Sequence, residues 1–286
     1  MFHHAGRGAD SQAESRVVNA ERLRLVRSML FVPAANPRAI EKARGLDADM
    51  IVLDLEDAVK PADKEGARTA ALAAAELGFG DRVLAVRVNA RGTAWYGEDL
   101  LALRSARIDC LVVPKVDHHD GVRDVQQLAG KPVLAMIETA RGVLAAPAIA
   151  DGPVALLAGT NDLAADLGVS TSAGRSGLTT ALQSILLAAR AARIPAFDGV
   201  FNRLEDPDGL EAECREGRSW GFDGKSLIHP GQVDTVNRLF GPSQAEIEEA
   251  ERLIAAAGGG AERFEGRMVE DLHVAQARAL LARARR

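Results

Sequence analysis

Eight short runs of β-branched and aliphatic residues, separated by longer alanine-rich stretches, constrain this chain more than any other feature. They are Arg27–Val32, Met50–Leu55, Val83–Val88, Cys110–Lys115, Val133–Ile137, Val154–Leu157, Ile194–Phe197 and Gly224–Ile228. Between them the spacing predicts helices such as Pro37–Leu46, Asp63–Leu77, Gly97–Ala106, Arg141–Ala150, Leu178–Arg193 and Gly209–Trp220. Short continuous apolar runs alternating with helical segments are the pattern of a parallel α/β fold. Eight such units in about 210 residues match a TIM barrel. An open doubly wound sheet needs fewer strands and a glycine-rich dinucleotide turn, and neither GxGxxG nor GxxxxGK[ST] follows any run. The expected architecture is therefore α/β, a (β/α)8 TIM barrel over residues 25–240. It is flanked by a polar, mobile N-terminal arm over 1–24 and a C-terminal helical extension over 241–286. In that extension Gly258, Gly259 and Gly260 separate two helices, the second of which can pack on a neighbouring subunit.

Charge and hydropathy exclude several classes. With 40 acidic and 35 basic residues the net charge is -5, and no basic block offers itself to a phosphate backbone, so nucleic acid is not an expected partner. Apolar runs such as Pro153–Ala158 are far too short for a membrane span, and the segment from Met1 to Arg16 contains no apolar leader. Cys110 and Cys214 are too few and too far apart for a disulfide framework, which points to a reducing cytoplasm.

In a TIM barrel the chemistry sits where strands end, and the strand ends here are rich in charge. The second is followed by Glu56 and Asp57, the third contains Arg87 and leads to Asn89, and the fourth ends at Lys115. The fifth leads to Glu138, the sixth to Asn161 and Asp162, the seventh to Asp198 and the eighth to His229. Glu138 and Asp162, from neighbouring strands, converge on the mouth and can hold Mg²⁺, which takes one or two carboxylates and leaves its other positions to water and substrate. The competing assignment is a salt bridge from Glu138 to Arg141 and a helix cap from Asp162. Arg87 lies in an apolar strand and requires a partner, either a substrate carboxylate or developing enolate, or an internal pair with Asp54 or Glu56. Lys115 raises Schiff-base chemistry, set against pairing with the nearby acids. His229 is a base or a strand terminator, and the polar stretch Gly168–Gly177 is a substrate lid or a plain connection. No serine stands in a GxSxG elbow, and neither cysteine has a histidine neighbour in sequence.

Seven ordered segments carry a resemblance over Arg27 to Ala277: Arg27–Pro33 (RSMLFVP), Leu53–Val59 (LDLEDAV), Val86–Asn89 (VRVN), Val113–Val116 (VPKV), Ile137–Gly142 (IETARG), Gly159–Ala164 (GTNDLA) and Gly221–Pro230 (GFDGKSLIHP). The chain resembles the HpcH/HpaI aldolase and citrate lyase β-subunit family. That resemblance implies a Mg²⁺-dependent carbon–carbon lyase acting on a 3-hydroxyacyl-CoA thioester of the citryl-, citramalyl- or malyl-CoA type. The products are a 2-oxo acid such as oxaloacetate and acetyl-CoA, and the reverse condensation is implied equally. Position by position it implies Glu138 and Asp162 as metal ligands and Arg87 as the residue holding the oxo acid and its developing charge. Glu56, Asp57 and Lys115 stand around the metal, and Arg27 and Lys42 lie near the entrance where a CoA phosphate binds. Relatives place a catalytic aspartate in the C-terminal segment of a neighbouring subunit. The matching stretch here, Gly266–His273 (GRMVEDLH), carries Glu270 at that place, which keeps the carboxylate but adds a methylene. Trimeric or hexameric homo-oligomers are implied, as is the alternative of a subunit working on a thioester carried by an acyl-carrier partner.

Overall fold

The computed structural model describes residues 18–170, 174–257 and 262–284. Eight parallel strands close into a barrel in sequence order: β1 (Ser28–Pro33), β2 (Met50–Asp54), β3 (Val83–Arg87), β4 (Cys110–Val113), β5 (Val133–Ile137), β6 (Ala155–Ala158), β7 (Ala196–Asp198) and β8 (Gly224–Leu227). Closure is made by β8 against β1, with Ser28 opposite Lys225 and Leu30 opposite Leu227. Helices cover the outside, and those that matter below are α1 (Ala20–Leu23), α2 (Pro37–Arg44), α3 (Lys64–Leu77), α4 (Tyr96–Leu103), α5 (His119–Ala129), α6 (Ala140–Ile149), α7 (Thr160–Asp166), α8 (Thr179–Ala191), α9 (Pro207–Trp220) and α10 (Val233–Phe240). The fold is thus the (β/α)8 TIM barrel the strand spacing predicts.

Two buried layers follow from the two-residue period of a strand. Met29, Met50, Val52, Ala85, Val112, Leu134, Met136, Leu157 and Phe197 point inward and fill the barrel. Leu30, Ile51, Leu53, Val86, Leu111, Ile137 and Leu156 point outward against the helices. Each fully buried side chain of this size stabilises by about 1.5–3 kcal/mol relative to exposure. Helix starts are fixed by short polar side chains just after the strands. Asn36 accepts from the Ala39 amide ahead of Pro37, Thr139 from Gly142, and Asp206 from Gly209 ahead of Pro207.

Three expectations are corrected. The fourth strand stops at Val113, short of Lys115, because Pro114 has no amide to donate and Lys115 is left-handed at φ 52°. The N-terminal arm does not extend to residue 24: from Val18 onward the chain is packed. Val18, Leu23 and Val26 plug the bottom of the barrel as part of its inner layer, and Arg22 pairs with Asp109 at 3.3 Å. Residues 1–17 lie outside the described residues. The C-terminal extension is not purely helical. Between α11 (Gln244–Ala256) and α12 (Asp271–Ala284) runs an antiparallel hairpin of β9 (Glu262–Phe264) and β10 (Arg267–Val269). These elements share a small core of their own built on Ala250, Leu253, Val269 and Ala277. The triple glycine lies outside the described residues. Among the described residues no helix is long and apolar enough to cross a membrane.

Candidate active site

Strand parity selects which polar residues reach the mouth. On β2 the inward positions Met50 and Val52 are followed by Asp54, and on β3 Val83 and Ala85 are followed by Arg87. On β5 Leu134 and Met136 are followed by Glu138. All three polar residues continue the inward phase past the end of the apolar layer. Asp54 and Arg87 are also direct register partners across β2 and β3. They line a cavity of about 370 Å³ with Phe31, Met136, Glu138, Gly159 and Asp162.

Arg87 grips Asp54 with both arms of its fork, Nε and Nη2 donating at 2.7 and 2.6 Å. Its remaining nitrogen, Nη1, lies 2.8 Å from Glu56 Oε2, and the guanidinium stands 5.1 Å from the Phe31 ring centre. Burial works against this cation, yet Asp54 and Glu56 hold its pKa above the usual guanidinium value. The internal pair and the substrate role are thus compatible: Asp54 fixes the fork, and Nη1 is the edge presented to the mouth. Lys115 reaches across the same space. Its Nζ donates to Glu56 Oε1 at 2.8 Å and lies 2.9 Å from Asp162 Oδ2, with Asp57 at 4.0 Å. Its backbone amide donates to Glu138 Oε1 at 2.7 Å.

Glu138 is buried, only 3% exposed. Burial first, then repulsion from Glu56 and Asp162, push its carboxyl up to about 8 against the pull of Lys115. Glu56 is raised by burial, which outweighs the attraction of Arg87 and Lys115. The arrangement is short of positive charge. Asp54, Glu56, Asp57, Glu138 and Asp162, five carboxylates, gather around Arg87 and Lys115, with Lys64 as a third, buried cation behind the loop. Gly159 adds a cradle: a Cβ there would overlap the Glu138 carboxylate, so only glycine lets that group lie against the end of β6. Among the described residues no three metal-binding side chains form a cage of their own. Two convergent carboxylates with hard oxygen donors and space beside them suit a magnesium ion, which keeps water or substrate in its other positions. The residues present therefore fit that group, with Glu138 and Asp162 as the candidates to hold it.

The predicted residues do not all meet. Glu56, Asp57, Arg87, Lys115, Glu138 and Asp162 are brought together; Arg27, Lys42 and Glu270 are not. Arg27 directly precedes β1 at the N-terminal face of the barrel, opposite the mouth, where it pairs with Asp49 through Nε at 2.8 Å and Nη2 at 2.9 Å. The expectation that Arg27 lies near the entrance is corrected by that geometry. Lys42 is exposed in the last turn of α2, away from the mouth lining. Glu270 stands exposed just ahead of α12. The far end of that helix is tied by Arg283 to the backbone oxygens of Asp223 and Phe240. His229 is exposed, and its Nδ1 accepts from the Gly231 amide, which is the strand-terminating role. Asp198 belongs to the outward phase, because Phe197 before it points inward. It lies between barrel and α9 rather than in the mouth. Residues 171–173 of the Gly168–Gly177 stretch lie outside the described residues, and Arg175 beyond them is bonded to Asp198 at 2.9 and 3.0 Å.

One participant escapes the sequence reading. Lys64, the first residue of α3, is buried, and its Nζ donates to the carbonyl oxygens of Leu55 and Glu56, each at 2.7 Å. From the other side the Asp54 carboxylate accepts from the Glu56 and Ala58 amides at 2.9 and 3.3 Å. The loop that presents Glu56 and Asp57 is thereby held from both sides. The available signal was a lysine in the first turn of a helix, where the helix dipole disfavours a cation.

Fold and site together define a TIM-barrel protein whose mouth gathers carboxylates beside a clamped arginine. The chain belongs to the HpcH/HpaI aldolase/citrate lyase family, whose profile matches residues 27–230. It is 44% identical over 268 residues, 90% of this chain and 94% of the other, to a (3S)-malyl-CoA thioesterase from Cereibacter sphaeroides. It is 37% identical over 275 residues, 88% of this chain and 90% of the other, to the citrate lyase β subunit of Leuconostoc mesenteroides subsp. cremoris. Among solved structures, CitE from Mycobacterium tuberculosis in complex with magnesium, acetoacetate and coenzyme A superposes with a TM-score of 0.78. The two are 36% identical, covering 92% of this chain and 100% of that one. The M. tuberculosis citrate lyase β subunit complexed with oxaloacetate and magnesium gives a TM-score of 0.69 at 36% identity, covering 77% and 100%.

Proposed function

We propose that this protein is a magnesium-dependent carbon–carbon lyase that splits a 3-hydroxyacyl-CoA thioester into a 2-oxo acid and acetyl-CoA, or joins them. The observation that carries it is the shared cavity of Arg87, Glu138 and Asp162, with a cation deficit that a divalent ion and an anionic substrate edge would complete. Support comes from relatives solved with magnesium, oxaloacetate and coenzyme A. Glu138 and Asp162 would hold the ion, which when bound supplies Lewis acidity and a template for the oxo acid's oxygens.

In the cleavage direction the 3-hydroxyl loses its proton and becomes the oxo acid's carbonyl. The electron pair of the broken C–C bond passes to the thioester as an enolate, which takes up a proton to give acetyl-CoA. Arg87, its fork immobilised by Asp54, would share Nη1 between Glu56 and the developing negative charge. Glu56 and Asp57, on their clamped loop, keep Arg87 and Lys115 in place. Lys115 is assigned a counter-charge role rather than a Schiff-base one, because its ammonium is paired with Glu56 at 2.8 Å and Asp162 at 2.9 Å. Glu270 is assigned as the acid–base carboxylate of a neighbouring copy's site, since its own chain carries it no nearer than the head of α12. The assembly is accordingly a homo-oligomer of trimeric or hexameric type. Lys42 remains the candidate for a CoA phosphate, and Cys110 and Cys214, both buried and free, suit a cytoplasmic protein.

A second reading, thioester hydrolysis, is favoured by the 44% identity to a (3S)-malyl-CoA thioesterase. Incubation with malyl-, citramalyl- and citryl-CoA plus Mg²⁺ separates the two. Lyase activity releases the 2-oxo acid and acetyl-CoA without free thiol. Hydrolysis releases free CoA thiol and no oxo acid. Failure to turn over any of the three would overturn both and favour a thioester borne by an acyl-carrier subunit.

A further inference from the structure

Lys115 departs from the barrel's regularities in three ways at once. It is one of three non-glycine residues with positive φ among the described residues, at 52°, two residues past the end of β4. Its amide is spent on Glu138 Oε1 at 2.7 Å. Its ammonium lies between acids from opposite sides of the mouth, 2.8 Å from Glu56 Oε1 and 2.9 Å from Asp162 Oδ2. A left-handed turn is what allows one residue to aim both its amide and its side chain at the same site, and strained backbone at such a place is a signature of function.

We infer that Lys115 is an internal counter-ion of the carboxylates at the mouth: its backbone amide positions Glu138, while its ammonium pairs with Asp162 and must yield that carboxylate when a divalent cation binds. This rests on the magnesium site proposed above. The physical logic is competition. Arg87 and Lys64, the latter spent on carbonyl oxygens behind the loop, leave five carboxylates under-compensated, so a further cation is needed at the mouth. A lysine on a flexible stem serves because it can withdraw to Glu56 once the metal takes Asp162. Arg87, bidentate on Asp54, lacks that freedom. The side chain of Lys115 is 38% exposed, which leaves room for the movement.

The test is Mg²⁺ binding by calorimetry on the metal-stripped full-length protein, with no substrate and no turnover. Lys115→Asn and Lys115→Gly both tolerate left-handed backbone and keep the amide, so both are expected to fold. Each should bind Mg²⁺ about tenfold more tightly than the wild type. Lys115→Arg, which retains the charge, should stay near the wild-type affinity. A neutral variant that binds no more tightly than the wild type, or an arginine variant as tight as the neutral ones, would overturn the inference. A second measurement needs no variant. The rate of acetylation of Lys115, followed by mass spectrometry, should rise several-fold on adding Mg²⁺, and a fall or no change would overturn it as well. Glu138→Ala separates the two levels of the argument. Mg²⁺ binding that this variant abolishes, with no gain in the neutral Lys115 variants, removes only the counter-ion role. Binding that Glu138→Ala leaves unaltered removes the metal site and the inference together.

Discussion

Two charge clusters sit near the C-terminal ends of the barrel strands, built from the same residue types, and they do opposite things. In the mouth, Asp54, Glu56, Asp57, Glu138 and Asp162 crowd Arg87 and Lys115, and burial with mutual repulsion drives Glu138 up to about 8. Behind β7 and β8, Asp198 and Glu213 meet Arg175 and Lys225: Lys225 Nζ lies 3.1 Å from Asp198 and 2.7 Å from Glu213, and Arg175 lies 3.4 Å from Glu213. There the two cations meet the buried acids directly, and Arg175 also holds the half-exposed Glu216 at 3.1 Å. Burial opposes ionisation of Asp198, yet Lys225 and Arg175 together hold it below the ordinary aspartate range. Gly217 on α9 lets the helix close over that carboxylate, where a Cβ would collide with it. The cluster behind β7 and β8 keeps its buried acid ionised, whereas the cluster at the mouth leaves Glu138 raised beside a cavity. Whether nearby cations outweigh burial, rather than the presence of charge, marks the difference.

The sharpest way to break the comparison is to neutralise one member of each cluster. Glu138→Gln should cost turnover of the thioester about a thousandfold or more, while leaving the melting temperature of the metal-free protein unchanged or slightly raised. Parallel kinetics and thermal melts check this. Lys225→Met should do the reverse, leaving Asp198 with Arg175 alone and Glu213 without its closest counter-charge, and destabilising the fold by roughly 3–5 kcal/mol, read from urea unfolding. A smaller effect separates the clusters by pH. Because the folded-state pKa of Glu138 is raised, its contribution to stability is fully present below the ordinary glutamate value near 4.5 and is lost as pH rises through about 8. The depressed pKa of Asp198 acts with the opposite sign: its contribution is present above the ordinary aspartate range and is lost only as pH falls through the folded value below it. Melting temperature against pH in EDTA should therefore decline from acid toward pH 8. Mg²⁺ or Glu138→Gln should flatten that decline, and a slope indifferent to both would break the assignment. The smallest effect belongs to the surface. Lys42→Ala should alter stability by no more than about 0.5 kcal/mol, and its influence should appear only as a salt-sensitive rise in KM for the CoA ester.

Much of the site was legible because strand ends are legible. Arg87 after Ala85, and Glu138 after Met136, continue an alternation that the apolar residues already set, so their convergence follows once the barrel is accepted. The same alternation separates Asp198 from them. It stands at a strand end like the others, but one residue after inward-facing Phe197 it is turned to the opposite face. Reading polar residues without counting parity put the two clusters on one footing. Arg27 was carried by motif position alone, and its place before the strand put it at the wrong face of the barrel. The hairpin of β9 and β10 was hidden because three-residue strands hold too little pattern to register.

What the sequence determined by itself was the barrel, its strand order, and the set of acids and bases at its rim, since these depend on periodicity and on chain order within βα units. What only the tertiary structure decided was partnership. Lys64 reaches two carbonyl oxygens of the loop before it, Lys115 takes a left-handed turn to bridge β2 and β6, and Asp54 immobilises Arg87. Such pairings depend on where separate strands end in space and on how much each charge gains by escaping burial alone. Those are sums over neighbours that no single stretch of sequence contains.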